Sequence, residues 1–227
     1  MLRSPVESAT QSGRTGKDVN RRAIGYVGIG SIIFFWLASF VFGALRPSYS
    51  HVVNTISELG AVGTPYSVLW NLIGSGVLGV LLAVVGVTIA REAQGTPSVS
   101  RTVATLLLAV SGLAVAGQGL MPAEMINGVA DVTSASTRAH FVSSLISGAA
   151  WIVGALMLVR PMSRNPHWKG LHIVSIVLVV LVVAASIVLQ GTFPDGLAQR
   201  IGNTFFCLWF VVMSIRLISL RAVPEAA

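Results

Sequence analysis

A chain of 227 residues with 54% hydrophobic and 10% charged side chains and a mean hydropathy of +0.80 is not an ordinary soluble domain, in which about a quarter of residues are charged. Its net charge of +7 would suggest nucleic acid in a soluble protein, but in so apolar a chain the cations must first be sorted by side of a membrane, and no nucleic-acid partner is implied. The single cysteine, Cys207, excludes an internal disulfide and a cysteine-built metal cluster.

Residues 1–20 are polar and without apolar periodicity, and are expected to form a disordered cytoplasmic tail. The first apolar run starts only after Arg21 and Arg22, so it lacks the form of a cleaved signal peptide. Six apolar runs follow, at about 23–45, 67–90, 102–121, 140–159, 171–191 and 201–220, each near the roughly 20 residues needed to cross a bilayer. The expected fold is all-α, a polytopic six-transmembrane-helix bundle over 21–221, with a short cytoplasmic tail at 222–227. All but three of the 15 cations, Arg46, Arg138 and Arg200, fall in segments that would share one side. The positive-inside rule therefore predicts both termini cytoplasmic and the connections after the first, third and fifth spans outside.

Those three connections hold Glu58, Glu124, Asp131 and Asp195. In the first, Ser50–Gly60 has apolar residues at 52, 53, 56 and 59, the spacing of a short surface helix ending at Gly60. Its Thr55 and Glu58 fit a capping box, and the alternative reading places His51, Asn54, Thr55 and Glu58 towards a cleft. The second leads through Asp131 and Arg138 into a helix on which His140, Ser144 and Ser147 share one face, which should point inward. In the third, Asp195 and Arg200 either pair locally or leave Arg200, unfavourably placed at a helix start, to receive an anion.

Within the spans, Asn71, Gln118, Gln190 and Asn203 lie near these same ends, where they serve as interhelical glue or line a site. Trp36, Trp151 and Trp209 read as packing, and Trp168 beside Lys169 as an interface anchor. Gln118-Gly119-x-x-Pro122 and Gln190-Gly191-x-x-Pro194 are each followed by an acid, and Pro47 closes the first span, a pattern that fits three repeated helical hairpins or three independent proline-terminated exits. The chain has no His-Glu-x-x-His, no glycine-rich phosphate loop and no Gly-x-Ser-x-Gly.

Three short motifs carry a family resemblance: Ser57-Glu58-Leu59-Gly60 after the first span, Arg138-x-His140 opening the fourth, and Gly196-Leu197-x-Gln199-Arg200 with Trp209 in the sixth. Over roughly residues 22–221 the chain resembles the multipass proteins grouped as domain of unknown function 998. That resemblance implies a prokaryotic plasma-membrane protein of about six spans and no established activity. Gln199 stands where an acid is expected from the family pattern. Ser136 and His140 also mimic the Ser-x-x-x-His of seven-span metal-dependent membrane hydrolases, whose paired His-x-x-x-His is missing here.

Three functions are consistent with the sequence. The first is a polar cleft in which Arg138 and Arg200, with Glu58, Asp195, His140, Asn71, Gln118 and Gln190, bind an anionic small molecule or lipid headgroup. The second is a membrane-embedded hydrolase acting on a lipid or envelope precursor, with His140 as general base and Asp131 and Glu58 as further catalytic candidates. A metal-dependent form of that hydrolase would use His140 with Asp131 and Glu58, or the set His51, His140 and Asp131, although the sequence itself requires no metal or cofactor. The third is a structural subunit of a membrane complex. The partners expected are membrane lipids; nothing in the sequence fixes the oligomeric state.

Overall fold

The computed structural model describes residues 5–96 and 98–220, with side chains described from residue 19. Its helices are α1 (Pro5–Ala44), α2 (Ser67–Gln94), α3 (Val99–Leu120), α4 (Ala135–Arg164), α5 (Leu171–Leu189) and α6 (Asp195–Ser219). All six, α1 through its segment Val19–Ala44, are long and apolar enough to cross a membrane. The protein is an all-α polytopic bundle. Large apolar side chains such as Leu37, Leu106, Leu145 and Val180 face outward along the helices, as they must where hydrocarbon rather than water surrounds the bundle and every backbone group has to be bonded internally.

Local chemistry sets the helix ends. Gly95 takes φ +67 after α2, and the Ser98 side chain accepts from Arg101 N to open α3. Ser134 caps α4 by accepting from Thr137 N, and Gly170 takes φ +92 before α5. Each helix packs against its neighbours in the chain and α6 returns to α1, closing a ring. Inside it lie Leu82, Leu108, Trp151, Trp209, Phe210 and Met213, all fully buried. A Cβ at Gly79 or Gly112 would run into the backbone of the facing helix, so this glycine pair sets the close approach of α2 and α3. Trp209 Nε1 donates to Ser175 Oγ at 2.9 Å within the core. Trp168, in the α4–α5 connection, is also buried in this core cluster, a correction to its expected role as an interface anchor.

Four local features differ from the sequence expectation. The backbone is helical from Pro5 onward, where an unstructured tail over 1–20 was expected, because extending an existing helix is far easier than nucleating one; residues 1–4 and the expected tail at 222–227 lie outside the described residues. The segment 50–60 holds only a 3-10 turn at Ser57–Gly60 rather than a surface helix. Two spans widen into π-helix, at Asn71–Val77 in α2 and Ala185–Leu189 in α5. Between α3 and α4 stands a small antiparallel hairpin, Met125–Ile126 (β1) with Val129–Ala130 (β2), turned by Asn127 and Gly128 at φ 52 and 82. We call the end of the bundle bearing this hairpin and the 45–66 and 190–194 connections the carboxylate rim, and the opposite end the basic rim.

Candidate functional site

The connection after α1 is folded by its own side chains. Thr55 N donates to Glu58 Oε1 at 2.8 Å, Thr55 Oγ1 reaches the same oxygen at 3.2 Å, and Asn54 Nδ2 donates to Glu58 Oε2 at 2.7 Å. Both carboxylate oxygens of Glu58 are thereby used, and the bond from Thr55 N is one half of a capping box, while Glu58 N donates to the Thr55 backbone carbonyl. Arg46 Nη1 donates to the Glu58 carbonyl at 2.9 Å and closes the loop from the α1 side. Ser57 opens the resulting 3-10 turn and is half-buried.

His140, buried in the first turns of α4, meets that turn. Its Nδ1 lies 3.0 Å from Met121 O and 3.2 Å from Gln118 O. Carbonyl oxygens only accept, so this network assigns the proton to Nδ1 and leaves Nε2 as the acceptor. Nε2 lies 3.2 Å from Ser57 Oγ. From α6, Gln199 Nε2 donates to the same Ser57 Oγ at 3.2 Å, while its Oε1 accepts from Ile56 N at 2.5 Å, which fixes which way the amide faces. Three elements thus converge on one hydroxyl.

Arg200, one residue further along α6, is 8% exposed. Nη1 donates to Asn54 O at 2.7 Å and Gly196 O at 2.9 Å; Nη2 donates to Tyr49 OH at 2.5 Å and faces His51 Nδ1 at 3.2 Å. The guanidinium also stacks on the Tyr49 ring at 5.6 Å. Burial raises the Tyr49 hydroxyl pKa, opposed by Arg200, and burial followed by the Arg200 charge lowers that of His51. The backbone completes the docking: Gly196 N donates to Val53 O and Leu197 N to Val52 O, at 3.0 and 2.9 Å, so the loop carbonyls satisfy amides that α6 would otherwise leave open at its start. A Cβ at position 196 would strike Asn54 O and Val52 O, which is why glycine stands there.

Of the other sequence candidates, only Gln118 and Asn71 touch this cluster, Gln118 through its backbone. Asp131 accepts from Thr133 N at 2.9 Å and Thr133 Oγ1 at 2.6 Å, and these bonds hold its carboxyl below the usual range. Arg138 is exposed and donates to Thr133 O at 2.7 Å. Glu124 accepts from Ser134 Oγ at 2.7 Å, and Asp195 is exposed in the first turn of α6. Asn71 Nδ2 donates to Gly60 O at 2.8 Å, Gln118 contributes its backbone carbonyl to His140, and Gln190 is exposed. Among the described residues no ion pair within 4.0 Å joins these acids to Arg46, Arg138 or Arg200. A buried guanidinium must find acceptors within the protein, and the Arg200 Nη atoms find them in the first connection and in their own helix. His51, His140 and Asp131 do not come together as a metal-ligating group of three among the described residues.

Residues 29–216 match the family described as Protein of unknown function (DUF998), a stretch that contains the whole cluster. The chain belongs to the DUF998 family. No curated protein and no solved structure matches it. In this DUF998 protein the three motifs quoted from the sequence meet in space, since Ser57, His140 and Gln199 come one from each. Sequence reasoning had ranked His140 highly but passed over Ser57, Gln199 and Tyr49. The available signal was the polar Gln199 directly before the buried Arg200 in the first turns of α6.

Proposed function

We propose that this DUF998 protein is a plasma-membrane hydrolase or acyl transferase, with both termini cytoplasmic and the carboxylate rim outside, acting on a carboxylic ester of a lipid or lipid-linked envelope precursor. The observation that carries the reading is the directed chain from the Met121 and Gln118 carbonyls through His140 to Ser57 Oγ. A nucleophile within hydrogen-bond reach of a base, itself oriented by a third group, is what activation of a serine requires. The orientation is supported by the cation count, which leaves Arg46, Arg138 and Arg200 alone on the carboxylate side. Exposed Val52 and Val53 beside the site suit an acyl chain.

In this mechanism Ser57 Oγ bonds to the ester carbonyl carbon as its proton passes to His140 Nε2. One amide hydrogen of Gln199 Nε2 points to Ser57 and the second is available to the developing oxyanion. Collapse breaks the bond to the leaving alcohol, which takes the proton from His140, and water or an acceptor alcohol then releases the acyl group by the same steps in reverse. His140 as base accounts for about 10²–10⁴ in rate.

The test is labelling of the purified protein by a fluorophosphonate. Labelling of Ser57, abolished in Ser57→Ala and reduced at least about a hundredfold in His140→Ala of unchanged helicity, is expected. A folded wild-type protein that never labels would defeat the proposal in favour of a second reading, a structural tie, which the internal bonds of both Arg200 Nη atoms favour. An anionic-ligand role at this rim now rests on Arg138, whose guanidinium is exposed, and has less behind it.

A further inference from the structure

At the basic rim, where α2 ends, α3 begins and α4 ends, lies a cavity of about 410 Å³ lined by Gln94, Ser98, Ser100, Met157, Arg160, Pro161 and Arg164. Arg160 and Arg164 are four residues apart on α4 and so share a face, where like charges repel unless an anion lies between them. Both are exposed, and neither guanidinium has a hydrogen bond or ion pair among the described residues. No acid lines the cavity. Glu92, in the preceding turn of α2, is turned to Arg21 at 3.7 Å. Gln94, which lines the same space, has its Nε2 buried with no hydrogen-bond partner. Ser100 Oγ makes no bond either, whereas Arg101 is turned away, donating to Gly95 O at 2.5 Å.

We infer that this groove binds a phosphate-bearing group. Two planar guanidinium forks, an amide donor without an acceptor and a serine hydroxyl match the several acceptor oxygens of a phosphate, and arginine suits that geometry better than lysine. Met157 and Pro161 give one apolar wall, which would lie along the glycerol and first methylenes of a phospholipid or remain unused by free phosphate. The site is separate from the Ser57 cluster and does not depend on the activity proposed for it.

The full-length protein in nanodiscs of phosphatidylcholine, with or without added phosphatidylglycerol, provides the test, read by native mass spectrometry of retained lipid and by melting temperature with inorganic phosphate. Expected is retention of phosphatidylglycerol by wild type and by Arg91→Gln, an exposed cation of the same rim outside the groove, and a loss of about thirtyfold (about 2 kcal/mol) in Arg160→Gln/Arg164→Gln. Gln94→Leu, which removes only the amide donor, should weaken retention in the same direction and stands in if the double variant does not fold. If phosphate alone raises the melting temperature in phosphatidylcholine and the groove variants remove that rise, the bound species is free phosphate. Equal loss in Arg91→Gln, or no response to either probe, overturns the site.

Discussion

Ser57 Oγ and His140 Nε2 stand 3.2 Å apart although 83 residues separate them in the chain. Because His140 Nδ1 is held by backbone carbonyls, the imidazole cannot turn away when its serine partner is removed. Single replacements Ser57→Ala and His140→Asn and their combination should give a stability coupling of about 0.5–1.5 kcal/mol by thermal unfolding, the range of one hydrogen bond. Strict additivity would show that the two side chains do not interact.

Arg200→Lys keeps the charge and loses the fork that reaches Asn54 O, Gly196 O and Tyr49 OH together. A destabilisation of about 2 kcal/mol is expected, the scale of a hydrogen bond to a charged group. Limited proteolysis should then cut within residues 50–56, whose docking on α6 depends on this side chain. Wild-type resistance at that segment would contradict the assignment.

Acid should loosen the same segment. The pKa of His51 lies below its usual 6.5 because of burial and then the Arg200 charge. On acidification the unfolded or undocked form binds the proton first, so the contribution of neutral His51 is whole above pH 6.5 and is lost as pH falls from there towards the depressed value. Hydrogen exchange of residues 50–55 should accelerate in that window, and His51→Asn should flatten the response.

Glycines on two helices should behave in opposite ways. Gly112→Val drives a side chain into the backbone of α2 at Gly79 and Ala83 and should cost at least about 1–3 kcal/mol. Gly30→Ala enters open space on α1 and should be neutral or stabilising by up to about 1 kcal/mol. Melting temperatures in one detergent would compare them directly.

Local signals carried the architecture. Apolar runs of membrane length, of which only the last holds a charge, Arg216, marked all six spans, although α1 extends well before its run, and the four- and three-residue spacing of His140, Ser144 and Ser147 marked the inward face on which His140 and Ser147 are indeed buried. Thr55 and Glu58 disclosed their mutual contact, the Glu58 half of a capping box, because it is complete within four residues. The meeting of Ser57 with Gln199, 142 residues away, leaves no local trace, since it depends on how α6 closes the ring against α1. Opposite charges suggested pairs that do not form: Asp131 is bonded by its neighbour Thr133, and the Arg200 Nη atoms by the Asn54 and Gly196 carbonyls and the Tyr49 hydroxyl, acceptors that the sequence does not advertise. The hairpin at 125–130 did carry a signal, Asn127-Gly128, a dipeptide suited to a tight turn with positive φ at both positions.

The π-helical stretch Asn71–Val77 gives α2 a spare residue. A π turn is an α-helix with one residue more than its hydrogen-bond ladder needs, and here it starts at Asn71, whose amide holds Gly60, and ends just before the Gly79–Gly112 crossing. Deleting one residue within 72–76 would let the ladder revert to α-helix, whereas the same deletion within 80–88 would rotate everything beyond it by about 100°, one residue of a 3.6-residue turn. The span thus contains its own expansion joint, and chains differing there by one residue in length would keep the same loop on the same helix.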